Sequence, residues 1–171
     1  MTSKEYDLIK EMLQMQAKLD EAIMKEYGLN EIDEENLRMA ILDEVGELTH
    51  ELKGDWCWWK KTQPQVDEEK VLGELVDIWH FVLNYQNHFN GGENGILNAS
   101  MFERNSDNIF NLLMTNEYKL SETLTDLSTW NIHKMERLVA ISEYLGFTIE
   151  QVYEAYCNKN KINYQRLKEG Y

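Results

Sequence analysis

The chain is predicted to be all-α, a helical bundle, and three observations carry that prediction. It holds one proline, Pro64, in 171 residues, far less turn punctuation than sheet-bearing folds use. Most of its nine glycines stand where helices should stop, among them Gly28, Gly54, Gly91, Gly92, Gly95, Gly146 and Gly170. Apolar residues recur at helical spacing from the start of the chain: Leu8, Met12, Met15, Leu19 and Ile23 lay one stripe on a helix over residues 3–27, stopped by Gly28. A second helix is predicted from Asp33, as N-cap, to Lys53, with Gly54 behind it. A third follows Pro64, from near Asp67 to about His88. Residues 89–104, with Asn-Gly-Gly-Glu-Asn-Gly, read as a surface loop, and shorter helices are expected at 105–116, 121–128 and 130–145. The last helix runs from Thr148 to about Lys168, with Gln151 completing a capping box. Neither a repeat nor a linker interrupts the chain, so residues 1–171 are expected to form one domain, with 89–130 a variable loop and helix insert.

Composition narrows the function. The chain is 43% hydrophobic and long enough for a buried core. Seventeen bases against 31 acids leave a formal charge of −14, which argues against a surface for nucleic-acid phosphates or an anionic membrane. No apolar run reaches the roughly 20 residues of a membrane span. The first residues hold no basic stretch leading into an apolar one, so no secretory leader is expected. Cys57 and Cys157 make no disulfide framework, and the expected compartment is a reducing cytoplasm.

Two predicted helices carry carboxylates where a core should be. At about 100° per residue, Glu44, Glu47 and Glu51 abut the apolar stripe of Leu37, Ile41, Leu48 and Leu52. On the third helix Glu74 and Asp77 sit beside Phe81, Ile78, Val82 and Tyr85, and apolar residues cover most of the far side too. An isolated ionised carboxylate in such a place costs several kcal/mol unless it protonates, pairs or binds a metal. Four acids in two ExxE/D pairs outnumber the nearby bases, so a cation is expected, and oxygen ligands suit Mg²⁺ or Mn²⁺. Acidic solvent faces are the plainer alternative. A di-iron carboxylate bundle is another, because Glu47-x-x-His50 and Asp77-x-x-His80 have its carboxylate-x-x-His step. Against it, the extra acids Glu44 and Glu74 lie on the same two helices rather than on two others.

The positive groups concentrate near the end of the chain. Lys159, Asn163 and Arg166 share one helical stripe in a segment that has four bases and no acid between Cys157 and Lys168. Such a stripe suits phosphate oxygens; a plain macrodipole complement is the alternative. The other unusual stretch is Trp56-Cys57-Trp58-Trp59-Lys60-Lys61. Its rings could stack on a base and its lysines hold phosphates, or it could simply plug a helix end.

These segments together resemble the dimeric, all-α dUTP diphosphatases of the all-α nucleoside-triphosphate pyrophosphatase superfamily, among their bacterial or phage members. Gln16-x-x-Leu19-Asp20, Glu44-x-x-Glu47-Leu48-x-x-Glu51 with the tryptophan stretch, Glu74-x-x-Asp77-x-x-His80-Phe81, and Lys159-Asn160-x-x-Asn163-x-x-Arg166 with the Gly170-Tyr171 ending carry the likeness. Two positions depart from it: Cys57 stands where members usually have lysine, and Asp20 where some branches have asparagine. The resemblance implies a four-helix core around a carboxylate metal site, in which Glu44, Glu47, Glu74 and Asp77 hold Mg²⁺. It implies Glu47 or Glu44 as the base for water. Lys159 and Arg166 would bind phosphate, with Trp59 and Lys60 helping from the tryptophan segment. Gln16, Asp20, His80, Phe81 and Asn163 would line the nucleoside pocket. The implied reaction takes dUTP, and dUDP, to dUMP, with pyrophosphate released from dUTP. The implied assembly is a homodimer. Phage-encoded members as a group also take protein partners such as repressors, so a regulatory partner is implied if this chain is phage-encoded. A sibling pyrophosphatase acting on another deoxynucleotide is the alternative within the same chemistry. An interaction role for residues 89–130 is a third reading.

Overall fold

The computed structural model describes residues 1–96 and 98–170, and among these every regular element is helical. Eight α-helices follow in order: α1 (Ser3–Tyr27), α2 (Glu34–Glu51), α3 (Lys53–Trp56), α4 (Glu68–Phe89), α5 (Ala99–Met114), α6 (Leu120–Ser128), α7 (Lys134–Tyr144) and α8 (Ile149–Glu169), with a 3-10 turn at Gly92–Ile96. The caps explain the boundaries. Thr2 and Glu5 form a capping box on α1, whose far end closes on Gly28 at φ 65°. Asp33 and Asp67 cap α2 and α4 through their side chains. Thr148 and Gln151 form the expected capping box on α8.

Helix α4 lies at the centre and packs against α1, α2, α7 and α8. Val71, Leu75, Val76, Ile78, Trp79, Val82, Leu83 and Tyr85 are all buried on it, as a helix apolar nearly all round requires. Trp79 is fully buried and donates from Nε1 to Ser142 Oγ at 3.1 Å, which ties α4 to α7. Helices α1, α2, α4 and α8 form the four-helix core that the resemblance implies. Helices α5 and α6 lean on it from outside, α5 against α7 and α6 against α2 and α7.

Three expectations need correction. Residues 89–104 are not one loop: α5 begins at Ala99, because the Asn98 side chain accepts from Met101 N–H and starts the helix six residues early. Helix α7 begins at Lys134 rather than 130, because Asn131 Oδ1 accepts from the His133 N–H in a tight turn. Gly54 does not stop a helix. It lies inside the single turn α3, and a Cβ there would come within 2.9 Å of the Pro64 carbonyl oxygen, so a side chain would push the 57–66 segment away. Tyr171, part of the quoted ending, lies outside the described residues.

One buried cation holds the outer layer. Lys134 is 1% exposed, donates from Nζ to the carbonyls of Leu127 (2.7 Å) and Thr129, and lies 4.6 Å from the Tyr85 ring centroid. It therefore closes the C-terminal end of α6, and burial lowers its pKa to about 8. Lys134→Met should cost about 2 kcal/mol, since two carbonyls lose their donor. At about 2–4 °C per kcal/mol for this size, calorimetry should show a melting temperature lower by roughly 4–8 °C.

Candidate active site

The four core helices enclose a cavity of about 380 Å³. Its walls bring together Gln16 and Asp20 from α1, Glu44 and Glu47 from α2, Asp77, His80 and Phe81 from α4, and Lys159, Asn163 and Arg166 from α8. Ten of the thirteen residues singled out in the sequence thus meet in one place. Glu74 stands just behind, facing Glu47 across an adjoining cleft. Trp59 and Lys60 do not reach the cavity. Trp59 is exposed and packs on Trp56 and Trp58, with ring centroids 5.6 and 5.8 Å away, while Cys57 is buried beneath. A larger cavity of about 580 Å³, floored by Leu52, Val71 and Phe147, holds none of the thirteen.

At one end of the site, carboxylate oxygens of Glu44, Glu74 and Asp77 all lie within 4.8 Å of one another, and all three residues are half-buried. Burial and the neighbouring Asp77, Glu47 and Glu74 push the Glu44 carboxyl up to about 7. Burial and the charges of Glu47 and Asp77 raise Glu74 as well. Oxygens sharing one Mg²⁺ at about 2.1 Å lie within about 4.2 Å of each other, so small rotamer changes would complete a cation cage. The donor set is oxygen-only. Among the described residues no histidine nitrogen joins the Glu44, Glu74 and Asp77 cluster, although the di-iron alternative requires one; His80 Nδ1 is 2.8 Å from Gln16 Oε1 and His50 Nδ1 is 2.7 Å from Lys53 Nζ. Lys159 brings a positive charge to the same place, its Nζ donating to Asp77 Oδ2 at 2.6 Å.

Three acids able to cage a cation, a lysine against them and a nucleoside-sized cavity beyond are the parts that a nucleotide pyrophosphohydrolase needs. The dUTPase family model matches residues 8–171. The chain belongs to the dUTPase family. No individually curated protein matches it. Membership makes it a dUTP diphosphatase and agrees with its all-helical fold.

The far end of this dUTPase-family cavity is organised by Gln16. Its Oε1 accepts from Tyr156 OH at 2.9 Å and from His80 Nδ1 at 2.8 Å, and its Nε2 donates to Asp20 Oδ1 at 2.7 Å. Because Asp20 can only receive at that oxygen, the amide orientation is set, and His80 must carry its proton on Nδ1. Burial, and to a smaller degree Lys159, lower the His80 pKa to about 3, so the ring stays neutral. The His80 ring also stacks on Tyr156, with centroids 4.3 Å apart. Burial raises the Asp20 carboxyl to about 6, against the hydrogen bonds from Gln16 and Asn84 and the nearby His88. Sequence reasoning missed Asn84, His88 and Tyr156. Asn84 was findable, being seven residues beyond Asp77 on the same α4 stripe, and Tyr156 likewise precedes Asn163 by seven on α8.

Proposed function

We propose that the enzyme hydrolyses dUTP, and dUDP with it, in a Mg²⁺-dependent reaction that yields dUMP and releases pyrophosphate from dUTP, supplying dUMP and keeping uracil out of DNA. The observation that carries this reading is the convergence of Glu44, Glu74 and Asp77 at the edge of a cavity that Lys159, Asn163 and Arg166 also line. Glu44, Glu74 and Asp77 would hold Mg²⁺, or Mn²⁺ in its place, with Glu47 beside them. The ion would neutralise the phosphates and stabilise the leaving group. Glu47 is the more exposed acid and stands outside the tight triad, so it is assigned to orient and deprotonate the attacking water, with Glu44 the alternative. Lys159 and Arg166 bind phosphate oxygens, Lys159 releasing Asp77 to do so. Gln16, Asp20, His80, Phe81 and Asn163 surround the nucleoside. Trp59 and Lys60 can take part only if the segment from Cys57 to Asp67 swings towards the cavity. The enzyme is assigned to the cytoplasm as a homodimer; light scattering tests the latter. A regulatory protein partner, the other expectation, would be sought by pull-down on immobilised enzyme.

Pyrophosphate release from dUTP, measured with Mg²⁺ and after chelation by EDTA, tests the reading: turnover should vanish on chelation and return with Mg²⁺. Glu47→Gln should lower kcat by about 100-fold or more while leaving Mg²⁺ binding in calorimetry within about threefold of the parent. Loss of Mg²⁺ binding instead would return Glu47 to the ligand set and pass the base to Glu44.

A further inference from the structure

The acids that would hold a metal already have a cation of the protein's own. Lys159 Nζ rests on Asp77 Oδ2 at 2.6 Å, and this ion pair joins α8 to α4 at the edge of the carboxylate cluster. The lysine charge reaches Glu74 as well. Both partners are largely shielded, the lysine side chain 28% exposed and the aspartate 18%. Water and salt therefore screen the pair less than one on the open surface.

Asp77 is one of the three acids whose carboxylate oxygens lie within 4.8 Å of one another. A carboxylate that holds an ammonium and a divalent ion together sets two cations side by side, and they repel. Whichever Asp77 oxygen turns to the metal, the ammonium on Oδ2 is on the same carboxylate. Lysine and metal thus compete for Asp77. The acceptor that could draw the lysine off lies along its own helix. Lys159, Asn163 and Arg166 follow at i, i+4 and i+7 on α8 and all line the cavity. A lysine ammonium is a point charge on a flexible four-carbon stem, so it can leave Asp77 while α8 stays in place. A phosphate beside Asn163 and Arg166 offers it charged oxygens in exchange. Metal alone offers the ammonium no such exchange. Phosphate alone would take the lysine and leave Asp77 without a counter-ion. Only the two together replace both halves of the ion pair.

We propose that the Lys159–Asp77 ion pair is a latch that keeps Mg²⁺ off the free enzyme, so that metal and nucleotide enter as one chelate, the phosphate taking Lys159 and the metal taking Asp77. This rests on the dUTP reading above, because it assigns how the partners of that same site load.

The test is calorimetric titration of Mg²⁺ into nucleotide-free enzyme stripped of metal by chelation. Lys159→Met keeps an unbranched apolar stem and removes the ammonium. It should bind Mg²⁺ at least about tenfold more tightly than the parent. Lys161→Met removes an equal charge at an exposed position outside the cavity and is the control for net charge. A gain of about tenfold over both parent and control supports the latch. A smaller gain, or an equal gain in the control, overturns it. Lys159→Met should also raise KM for dUTP, since a phosphate contact goes. Metal and nucleotide affinity then move in opposite directions, which the loss of a merely structural pair would not produce. If dUTP is hydrolysed and Lys159→Met gains no metal affinity, only this inference fails. If the gain appears and dUTP is not hydrolysed, the latch stands for another phosphate ligand and the dUTP reading falls. Should Lys159→Met fail to fold, the nitrogen-15 signal of the Lys159 ammonium in the parent decides. It should shift with a dUTP analogue carrying an imido bridge between the α- and β-phosphorus. It should stay in place with Mg²⁺ alone at a concentration that saturates the analogue-bound enzyme. A shift with Mg²⁺ alone, or none with the analogue, overturns the latch.

Discussion

Glu74→Gln should abolish dUTP hydrolysis while leaving the fold intact or firmer. The expected loss of kcat is at least about 1,000-fold, the equivalent of about 4 kcal/mol of barrier, since one oxygen of the cation cage goes and the metal's support of the phosphates goes with it. The stability argument runs the other way. Glu74 is raised by burial and by the charges of Glu47 and Asp77, so its ionised form is held against its surroundings. A neutral amide of the same shape removes that repulsion, which for half-buried acids is worth about 1 kcal/mol after solvent screening. Scanning calorimetry without metal should therefore show a melting temperature unchanged or up by about 2–4 °C. A sign follows for pH. Glu44, raised from 4.5 to about 7, binds more protons in the folded state than unfolded across that interval. Its stabilising contribution is present at low pH and lost as pH climbs from 4.5 through 7. The metal-free parent should thus lose stability across that window, and Glu74→Gln should flatten the loss. An unfolded Glu74→Gln protein would mean that these acids hold the fold rather than a cation.

Much of the site was legible because helices turn distance in sequence into position. Glu44 with Glu47, Glu74 with Asp77, and Lys159 with Asn163 and Arg166 each occupy one face at i, i+3, i+4 or i+7, so their convergence needed only α2 and α8 to pack on α4. The tryptophan segment has no period. Trp59 and Lys60 follow the one-turn α3, where Gly54 passes close to Pro64, a tertiary contact that spacing does not encode. The start of α5 was hidden for a related reason. Asn98 caps it, but follows a stretch of Gly and Asn residues that reads equally as loop. Within residues 89–130, read as a variable loop and helix insert, Phe102, Leu124 and Leu127 are buried in the main core, so replacing the segment with a short loop would remove core. The least legible feature was the role of Gln16. Its place on the buried face of α1 follows from the period, but its three partners come from Asp20 on the same helix, His80 on α4 and Tyr156 on α8.

That hub makes Gln16→Leu the second large effect. Leucine has similar volume and no polar atoms, so the packing survives while the network does not. His80 would keep a buried N–H with no acceptor. Tyr156 OH would be left with a 3.4 Å contact to the Met12 carbonyl and a 3.5 Å approach from Asn160. Asp20, at 2% exposure, would lose one of the two amides that receive on Oδ1. Leaving two such groups unsatisfied costs about 1–3 kcal/mol each, for a total of about 4 kcal/mol, or roughly 8–16 °C of melting temperature. The catalytic consequence should fall on the nucleoside end alone. With Nδ1 unpaired, the neutral His80 ring is free to exchange tautomers, and both its orientation and that of Asp20 become uncertain. KM for dUTP should rise by about 100-fold. Mg²⁺ binding at Glu44, Glu74 and Asp77, on two other helices, should stay within about threefold of the parent. Calorimetric titration with Mg²⁺ beside steady-state kinetics separates the two ends. Loss of both together would show that Gln16 holds the bundle as a whole, whereas loss of nucleotide affinity alone would locate its work at the base.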